Sequence, residues 1–154
     1  MTRPGSSDEC VFCAIAGGRV PAAIVWQNEH ACAFLDARPV FKGHVLVVPR
    51  AHVPTLLELP DAETGPLFIA VRRVAAAVER ALAADGTFVA LNNKVSQSVA
   101  HLHVHVVPRR RKDGLRGFFW PRMPYASDGE RDEFAARIAA AMQETQRGSD
   151  APLV

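Results

Sequence analysis

The sequence lacks any apolar run close to the roughly 20 residues that a membrane-spanning helix requires. Its first segment, residues 1–8, is polar and contains no hydrophobic signal region. We therefore predict a cytoplasmic protein with no membrane partner. A strong charge of either sign is also lacking, because 18 Lys and Arg against 16 Asp and Glu leave a formal net charge of +2. This balance is too small to predict nucleic acid as the main partner.

Cysteine is scarce, and the count of three is odd, which argues against a disulfide framework. Two of the three form the sequence Cys10-Val11-Phe12-Cys13. In an intracellular chain this spacing favours metal or redox chemistry over a structural disulfide. A redox pair is the main rival to a metal, although the motif is not preceded by the strand that a thioredoxin-like site needs. Cys32 lies in an apolar run and is predicted to be a buried small hydrophobe.

What remains is typical of a globular protein, with 154 residues, 49% hydrophobic and 22% charged. This length can bury a sizeable core in one domain. We predict a disordered segment at residues 1–9, a single domain at 10–146 and a frayed tail at 147–154. The aromatic patch 117–121 and the basic cluster 109–112 are assigned no firm role.

Hydrophobic periodicity predicts hairpins interrupted by one long helix, which is typical of an α+β fold. The segment 61–84 is the long amphipathic helix, with Asp61 as its N-cap and Gly86 closing it. Ser127 and Asp128 can cap the C-terminal helix. The other predicted elements are a short helix at 11–16, strands at 23–26, 31–35, 44–48 and 87–91, and the C-terminal helix at about 129–146.

The most informative segment is 101–106, where three of the six histidines alternate with aliphatic residues as His-Leu-His-Val-His-Val. Alternation of this kind predicts a β-strand with the three imidazoles on one face and the aliphatic side chains on the other. Pro108 is predicted to end the strand. The strand 87–91, which a polar loop connects to it, is predicted to be its neighbour.

Two kinds of chemistry fit these histidines. Three imidazoles can hold a catalytic zinc with an open fourth position. Alternatively, one neutral imidazole can attack an electrophile covalently. No single histidine can do both, because a metal would occupy the lone pair that attacks. Two imidazoles with the thiolates of Cys10 and Cys13 would instead make a closed, structural site.

The segment 101–107 resembles the signature of the histidine triad (HIT) family of nucleotide hydrolases and transferases. Further stretches agree with that family in order and spacing across about residues 10–110. They are Cys10-x-x-Cys13-x-Ile15 followed by Pro21-Ala22, Ala33-Phe34-Leu35-Asp36-x-x-Pro39, Gly43-His44-Val45-Leu46-Val47-Val48-Pro49-Arg50-x-His52, and Gln97-Ser98-Val99.

The resemblance implies that His103 attacks the α-phosphorus of a nucleotide and forms a nucleotidyl-histidine intermediate. His105 and His44 would flank the phosphate, Asp36 would accept from the ribose hydroxyls, and Phe34 would lie near the base. Hydrogen bonds to the phosphate or the leaving group would come from Gln97 and Ser98, with Asn92 or Asn93 lining the same pocket. In the cysteine-bearing branch of the family, a structural zinc would be held by Cys10, Cys13, His52 and His101.

The family fold is a half-barrel of antiparallel strands with helices outside, normally a two-fold dimer joined through the long helix and a strand edge. Residues 93–96 depart from the pattern, because the loop is shorter and lacks the customary glycines.

We therefore predict a nucleotide hydrolase or nucleotidyl transferase that acts at the α-phosphate of a nucleoside polyphosphate or phosphoramidate. The expected substrate is a purine nucleotide or a dinucleoside polyphosphate. The alternative is a nucleotide-binding regulatory or scaffold protein with little turnover. The intact His103 beside His44 and the pair Gln97-Ser98 favours the enzyme.

Overall fold

The computed structural model describes residues 10–115 and 123–149, the side chains of 143–149 excepted. The predicted segments 1–9 and 117–121 and the end of the tail, 150–154, lie outside the described residues. The elements are α1 (Val11–Ala16), β1 (Ile24–Gln27), β2 (Ala31–Leu35), β3 (Val45–Pro49), α2 (Asp61–Leu82), β4 (Gly86–Ala90), β5 (Val104–Arg109) and α3 (Asp128–Ser149), with a 3-10 turn at Leu56–Glu58.

The five strands form one antiparallel sheet in the order β1-β2-β3-β5-β4. The predicted hairpin is present as β1 and β2, with an irregularity in register between Ile24 and Trp26. The predicted pairing of the histidine strand with its preceding strand is also present, since β5 pairs with β4 along its length. The antiparallel α+β fold predicted from the sequence is confirmed.

Every residue of β3 is apolar and buried, so the sheet is covered on both faces along this strand. Val45 and Val47 pack in one buried cluster with the apolar stripe of α2. Leu46 and Val48 pack in a second cluster with Phe12 of α1 and with Cys32. Since side chains alternate along a strand, α1 and α2 lie on opposite faces of the sheet. Cys32 is fully buried, as predicted.

The ends of α2 differ from the prediction. Pro60, not Asp61, is the N-cap, and Asp61 is the first helical residue. The helix ends at Ala83, which adopts a left-handed conformation with φ of 48°, while Gly86 instead begins β4. The guanidinium of Arg110 donates to the carbonyl oxygens of Leu82 and Ala83. This satisfies terminal carbonyls that the helix itself cannot pair.

The histidine strand also begins later and ends later than predicted. β5 starts at Val104, where it first pairs with Val47 of β3, so His101 and His103 precede it. The N–H of Leu102 instead donates to the carbonyl oxygen of Val53 at 2.7 Å. Pro108 lies inside β5 opposite Thr87. Proline is tolerated there because the pairing with β3 has already stopped at Val106.

The chain divides into two compact units, residues 1–114 and 115–154. The second unit contains α3, whose first turn is capped by the Ser127 hydroxyl, which accepts from the N–H of Glu130 at 3.1 Å. The cap agrees with the prediction, and the helix continues three residues past the predicted end at 146. Within the described residues, none of the helices combines the length and apolarity needed to cross a bilayer.

Candidate functional site

Four side chains from distant parts of the chain meet in a cluster suited to a metal ion. They are the residues that the resemblance assigned to zinc, and their candidate ligand atoms all lie within 4.8 Å of one another. The set is Cys10, Cys13, His52 and His101. Three local features bring them together: the first turn of α1, the loop after β3, and the extended segment that leads into β5.

The distances within the cluster match a tetrahedral centre. The Nδ1 atom of His101 lies 3.4 Å from each cysteine Sγ and 3.3 Å from Nδ1 of His52, and the Cys13 Sγ lies 3.3 Å from Nδ1 of His52. Metal bonds of about 2.0 Å to nitrogen and about 2.3 Å to sulfur place tetrahedral ligand atoms roughly 3.3–3.8 Å apart. The donor set and the spacing therefore both fit a closed four-ligand zinc site.

A hydrogen bond on the side of the ring away from the cluster fixes the orientation of His101. Its Nε2–H donates to the carbonyl oxygen of Pro49 at 2.9 Å, and the residue is fully buried. That bond leaves the Nδ1 lone pair directed at the cluster, which is the arrangement that metal-binding histidines usually show. Burial also lowers the pKa of His101, which favours the neutral form that binds metals.

His103 is held in a defined tautomer by its own backbone neighbourhood. Its Nδ1 lies 2.7 Å from the carbonyl oxygen of His101. A carbonyl can only accept, so Nδ1 carries the proton and the lone pair remains on Nε2. The ring is almost fully buried and contacts Phe12 edge-on, with centroids 5.2 Å apart. A backbone hydrogen bond thus selects Nε2 as the nitrogen of this imidazole that carries the lone pair.

A hydrogen-bonded chain runs through the other two histidines of the predicted catalytic group. The N–H of Val40 donates to Nδ1 of His44 at 3.2 Å, so the neutral His44 carries its proton on Nε2. This Nε2 lies 2.9 Å from Nδ1 of His105. His105 must then accept at Nδ1 and carry its own proton on Nε2. The chain therefore ends in one N–H donor on His105.

The pKa shifts of these two histidines are consistent with neutral rings. Burial, helped by the nearby His103 and His44, lowers the pKa of His105 to about 4. Burial also lowers the pKa of His44, against the opposing effect of the Asp36 carboxylate, whose Oδ2 is 3.6 Å from Nδ1 of His44. At neutral pH His44 and His105 thus act as hydrogen-bond donors and acceptors rather than as cations.

His103 and His105 open into a cleft of about 710 Å³, a volume in the range of small-molecule sites. Of the residues predicted to contact a nucleotide, Phe34, Asp36 and Ser98 also line it. His44 lies behind His105 and reaches the cleft through it. Sequence reasoning missed the wall that α1 contributes, which consists of Val11, Phe12 and Ile15. Their position between and beside the two cysteines could have indicated that they lie near the site.

Three predicted substrate residues are not brought to the cleft. The Asn93 carboxamide accepts from the N–H of Leu56, and the Asn92 carboxamide donates to the carbonyl of Ser96. The Gln97 side chain accepts from the N–H of Lys94 and donates to the carbonyl of Pro54. In this structure these side chains hold their own loop together and tie it to residues 54–56. Their predicted contact with a phosphate would require the loop to rearrange.

The HIT domain model matches residues 18–112. Among solved structures, a HIT family member from Bacillus subtilis is 34% identical with a TM-score of 0.79, covering 86% of this chain and 96% of that one. A Zn-bound histidine triad family protein from Mycobacterium smegmatis is 35% identical with a TM-score of 0.68, covering 88% and 99%.

Two curated relatives have names that state an activity. Adenylylsulfatase HINT3 of Arabidopsis thaliana is 31% identical over 110 residues, which is 70% of this chain and 56% of that protein. The asymmetrical bis(5'-nucleosyl)-tetraphosphatase of Schizosaccharomyces pombe is 33% identical over 96 residues, which is 61% of this chain and 53% of that protein. The family thus includes nucleotide hydrolases. With its domain match, its fold and its three clustered histidines, the chain belongs to the HIT family.

Proposed function

We propose that this protein is a nucleotide hydrolase or nucleotidyl transferase that acts at the α-phosphate through a covalent intermediate on His103. The observation that carries the proposal is the hydrogen bond from Nδ1–H of His103 to the carbonyl oxygen of His101, at 2.7 Å. It leaves Nε2 as the free lone pair of a histidine that lines the cleft. The two relatives with named hydrolase activities support the same reaction class.

The reaction has two displacements. In the first, Nε2 of His103 attacks the α-phosphorus, a P–N bond forms, and the bond from phosphorus to the leaving group breaks. The leaving group departs as an anion or takes a proton from water, and the N–H at the end of the His44–His105 chain can donate a hydrogen bond that stabilises its charge. In the second, water or another acceptor attacks the phosphorus, the P–N bond breaks, and the nucleoside monophosphate or transferred nucleotide is released. Each displacement then needs only one positioned nucleophile.

Asp36 and Phe34 would bind the nucleoside part of the substrate. Both line the cleft, and Asp36 Oδ1 already accepts the N–H of Arg38 at 2.8 Å. A carboxylate in that position can accept from two ribose hydroxyls. The apolar remainder of the wall would enclose a purine base by contact. Ser98 remains available to donate to the phosphate.

The resident metal in this proposal is Zn²⁺, held by Cys10, Cys13, His52 and His101. Its role would be structural, because four protein ligands leave no open position for water or substrate. The zinc would tie α1 to the loop after β3 and to the start of the histidine segment. The thiolates need a reducing compartment, in keeping with a cytoplasmic protein.

The proposal is tested by incubating the purified protein with a dinucleoside polyphosphate and with a nucleoside phosphoramidate, then measuring released nucleoside monophosphate. Wild type should release it, and His103→Ala should not. His30→Ala is a matched control, because His30 contacts Glu63 at 2.9 Å instead of lining the cleft. Equal release by wild type and His103→Ala would overturn the covalent mechanism.

The alternative, a nucleotide-binding protein with little turnover, is favoured by one observation. Both ends of the Gln97 carboxamide are already bonded to Lys94 and Pro54, so it makes no contact in the cleft. Under this alternative AMP would bind normally while neither substrate is turned over.

A homodimer through α2 is part of the proposal, since Phe68 and Ile69 are apolar and exposed on that helix, at 38% and 45% of their surface. Exposed apolar surface of this kind is typical of contact sites. Light scattering should give twice the monomer mass, and Ile69→Glu should give the monomer. A monomeric wild type would remove the dimer from the proposal.

A further inference from the structure

The short helix α1 belongs to the metal cluster and to the cleft at once. Cys10 precedes it and Cys13 lies within it, and both are candidate metal ligands. Phe12, between them, lines the cleft together with Val11 and Ile15. This six-residue helix and its N-cap residue therefore carry half of the ligand set and one wall of the nucleotide site.

Phe12 is the member of this wall that reaches the reacting histidine. Its ring centroid lies 5.2 Å from that of His103 at an interplanar angle of 75°, and 5.5 Å from that of Phe34. Edge-to-face contacts at these separations are favourable and directional. Phe12 is only 8% exposed, so its ring has little room to turn. Phe12 therefore restricts a part of the His103 ring that the backbone hydrogen bond at Nδ1 does not hold.

The two ends of α1 are anchored differently. A helix of this length is not stable by itself in water. Its C-terminal end is tied by the guanidinium of Arg50, which donates to the carbonyl oxygen of Ala16 at 2.8 Å. At the N-terminal end, Cys10 makes no side-chain capping hydrogen bond. Packing of Phe12 with Phe34 and Leu46 holds that end, and the thiolate ligands would add the polar anchor that it lacks.

We propose that Phe12 couples the metal cluster to the nucleotide cleft, as a positioning residue for His103 and as an aromatic wall beside Phe34 that is held in place by the metal. The inference rests on the zinc and nucleotide sites of the proposed function. The other link between the sites is the backbone carbonyl of His101. Two hydrogen bonds fix its position without the metal: His101 Nε2–H donates to the carbonyl oxygen of Pro49, and the N–H of Leu102 donates to the carbonyl oxygen of Val53. Loss of metal therefore weakens nucleotide binding more than it slows the chemical step.

Coupling of this kind is reciprocal: if zinc tightens nucleotide binding by some factor, nucleotide tightens zinc binding by the same factor. AMP affinity is measured by calorimetry on zinc-loaded and chelator-treated full-length protein. Zinc affinity is measured by competition with a chromogenic chelator, with and without AMP. We expect each affinity to change about fivefold or more, in line with typical coupling factors, and by matching factors. A folded zinc-free protein that binds AMP as tightly as the loaded one would overturn the inference.

A variant that keeps the metal provides the second test. Phe12→Leu should retain wild-type zinc stoichiometry, raise KM for the nucleotide about fivefold or more, and lower kcat by a smaller factor. Its AMP–zinc coupling should fall below twofold. Phe88→Leu on β4 is the matched control, since Phe88 does not line the cleft, and it should keep KM and coupling.

Phe12→Leu with unchanged KM and full coupling would overturn the inference, as would failure of the wild type to take up zinc. These outcomes are distinct from failure of the proposed reaction, which is judged by nucleotide release from wild type and His103→Ala.

Discussion

Nδ1 of His103 donates to the backbone carbonyl of His101, two residues earlier, at 2.7 Å. The same residue, His101, directs its own Nδ1 at the cysteine cluster. His101 thus orients the ring of His103 with its backbone carbonyl and contributes a candidate metal ligand with its side chain. The three histidines thus differ in their contacts, since His105 pairs separately with His44.

The His44–His105 chain should support a hydrogen bond from His105 to the leaving group. We expect His44→Ala to lower kcat by roughly 10²-fold, the usual loss when a preorganised donor to developing charge is removed, because His44 donates to Nδ1 of His105 and so orients its N–H. Substrates with a good leaving group, whose charge needs less stabilisation, should be affected much less. Steady-state kinetics with a good and a poor leaving group measures the difference. An equal loss for both would contradict this role.

Folding stability should fall in acid because of the buried imidazoles. The pKa of His105 is lowered to about 4 by burial and by nearby His103 and His44, from an ordinary value near 6.5 in the unfolded chain. Between these values the unfolded state binds more protons, so the contribution is complete above about pH 6.5 and is lost as pH falls toward 4. His44, whose pKa is also lowered by burial, adds in the same direction.

Urea unfolding of wild type and His105→Asn from pH 7.5 to pH 4 measures this effect. The variant should lose less stability over the window than wild type. The comparison is made between variants because thiolate ligands also take up protons in acid. Parallel losses in the two proteins would contradict the assignment.

Removal of one thiolate should remove the metal and lower thermal stability. A ligand present at a hundredfold excess over its Kd stabilises the folded state by about 2.7 kcal/mol, or roughly 5–11 °C in a chain of this size. We expect Cys13→Ser to lose zinc by metal analysis and to melt lower by about that amount. Cys32→Ala is the control, because Cys32 is buried in the sheet and should keep its zinc. Full zinc content in Cys13→Ser would contradict the ligand set.

Substitution of two glycines by alanine should change folding stability in opposite directions. Gly43 has φ of +97°, and a Cβ there would overlap Cδ1 of Leu82. Gly43→Ala should destabilise by about 2 kcal/mol or more, from the left-handed backbone and the contact together. Gly86, at the start of β4, has nothing within 4 Å of its added Cβ, so Gly86→Ala should stabilise by about 0.4–1 kcal/mol. Denaturant unfolding separates the two, and effects of the same sign would contradict this account.

The sequence was sufficient for the parts of the fold that depend on local periodicity. The alternation of residues 101–106 predicted which side chains face the core, and Leu102, Val104 and Val106 do pack with α2. Strand ends were predicted less well, because β5 begins where a partner strand becomes available and not where the alternation starts. The αL residue that ends α2 is Ala83, which has no turn signal in the sequence.

The loop before the histidines could not have been predicted. Lys94 and Ser96 adopt positive φ of 70° and 61° where glycine would be expected. In the loop that they shape, the side chains of Asn92, Asn93 and Gln97 bond to the loop or to residues 54–56. The ligand set of four residues came from family resemblance, since no periodicity relates Cys10 to His101. Phe12 was missed because its role arises only when α1 is placed against the cleft.

The central claim is that His103 carries the nucleotide. The most direct measurement is to quench the reaction of wild type with a nucleoside phosphoramidate at early times and to map the modified peptide by mass spectrometry. The account predicts a nucleotidyl group on Nε2 of His103 that disappears as nucleoside monophosphate accumulates, and no adduct in His103→Ala. A wild type that turns over substrate with the adduct on another residue, or with oxygen from water entering the product in a single displacement, would contradict it.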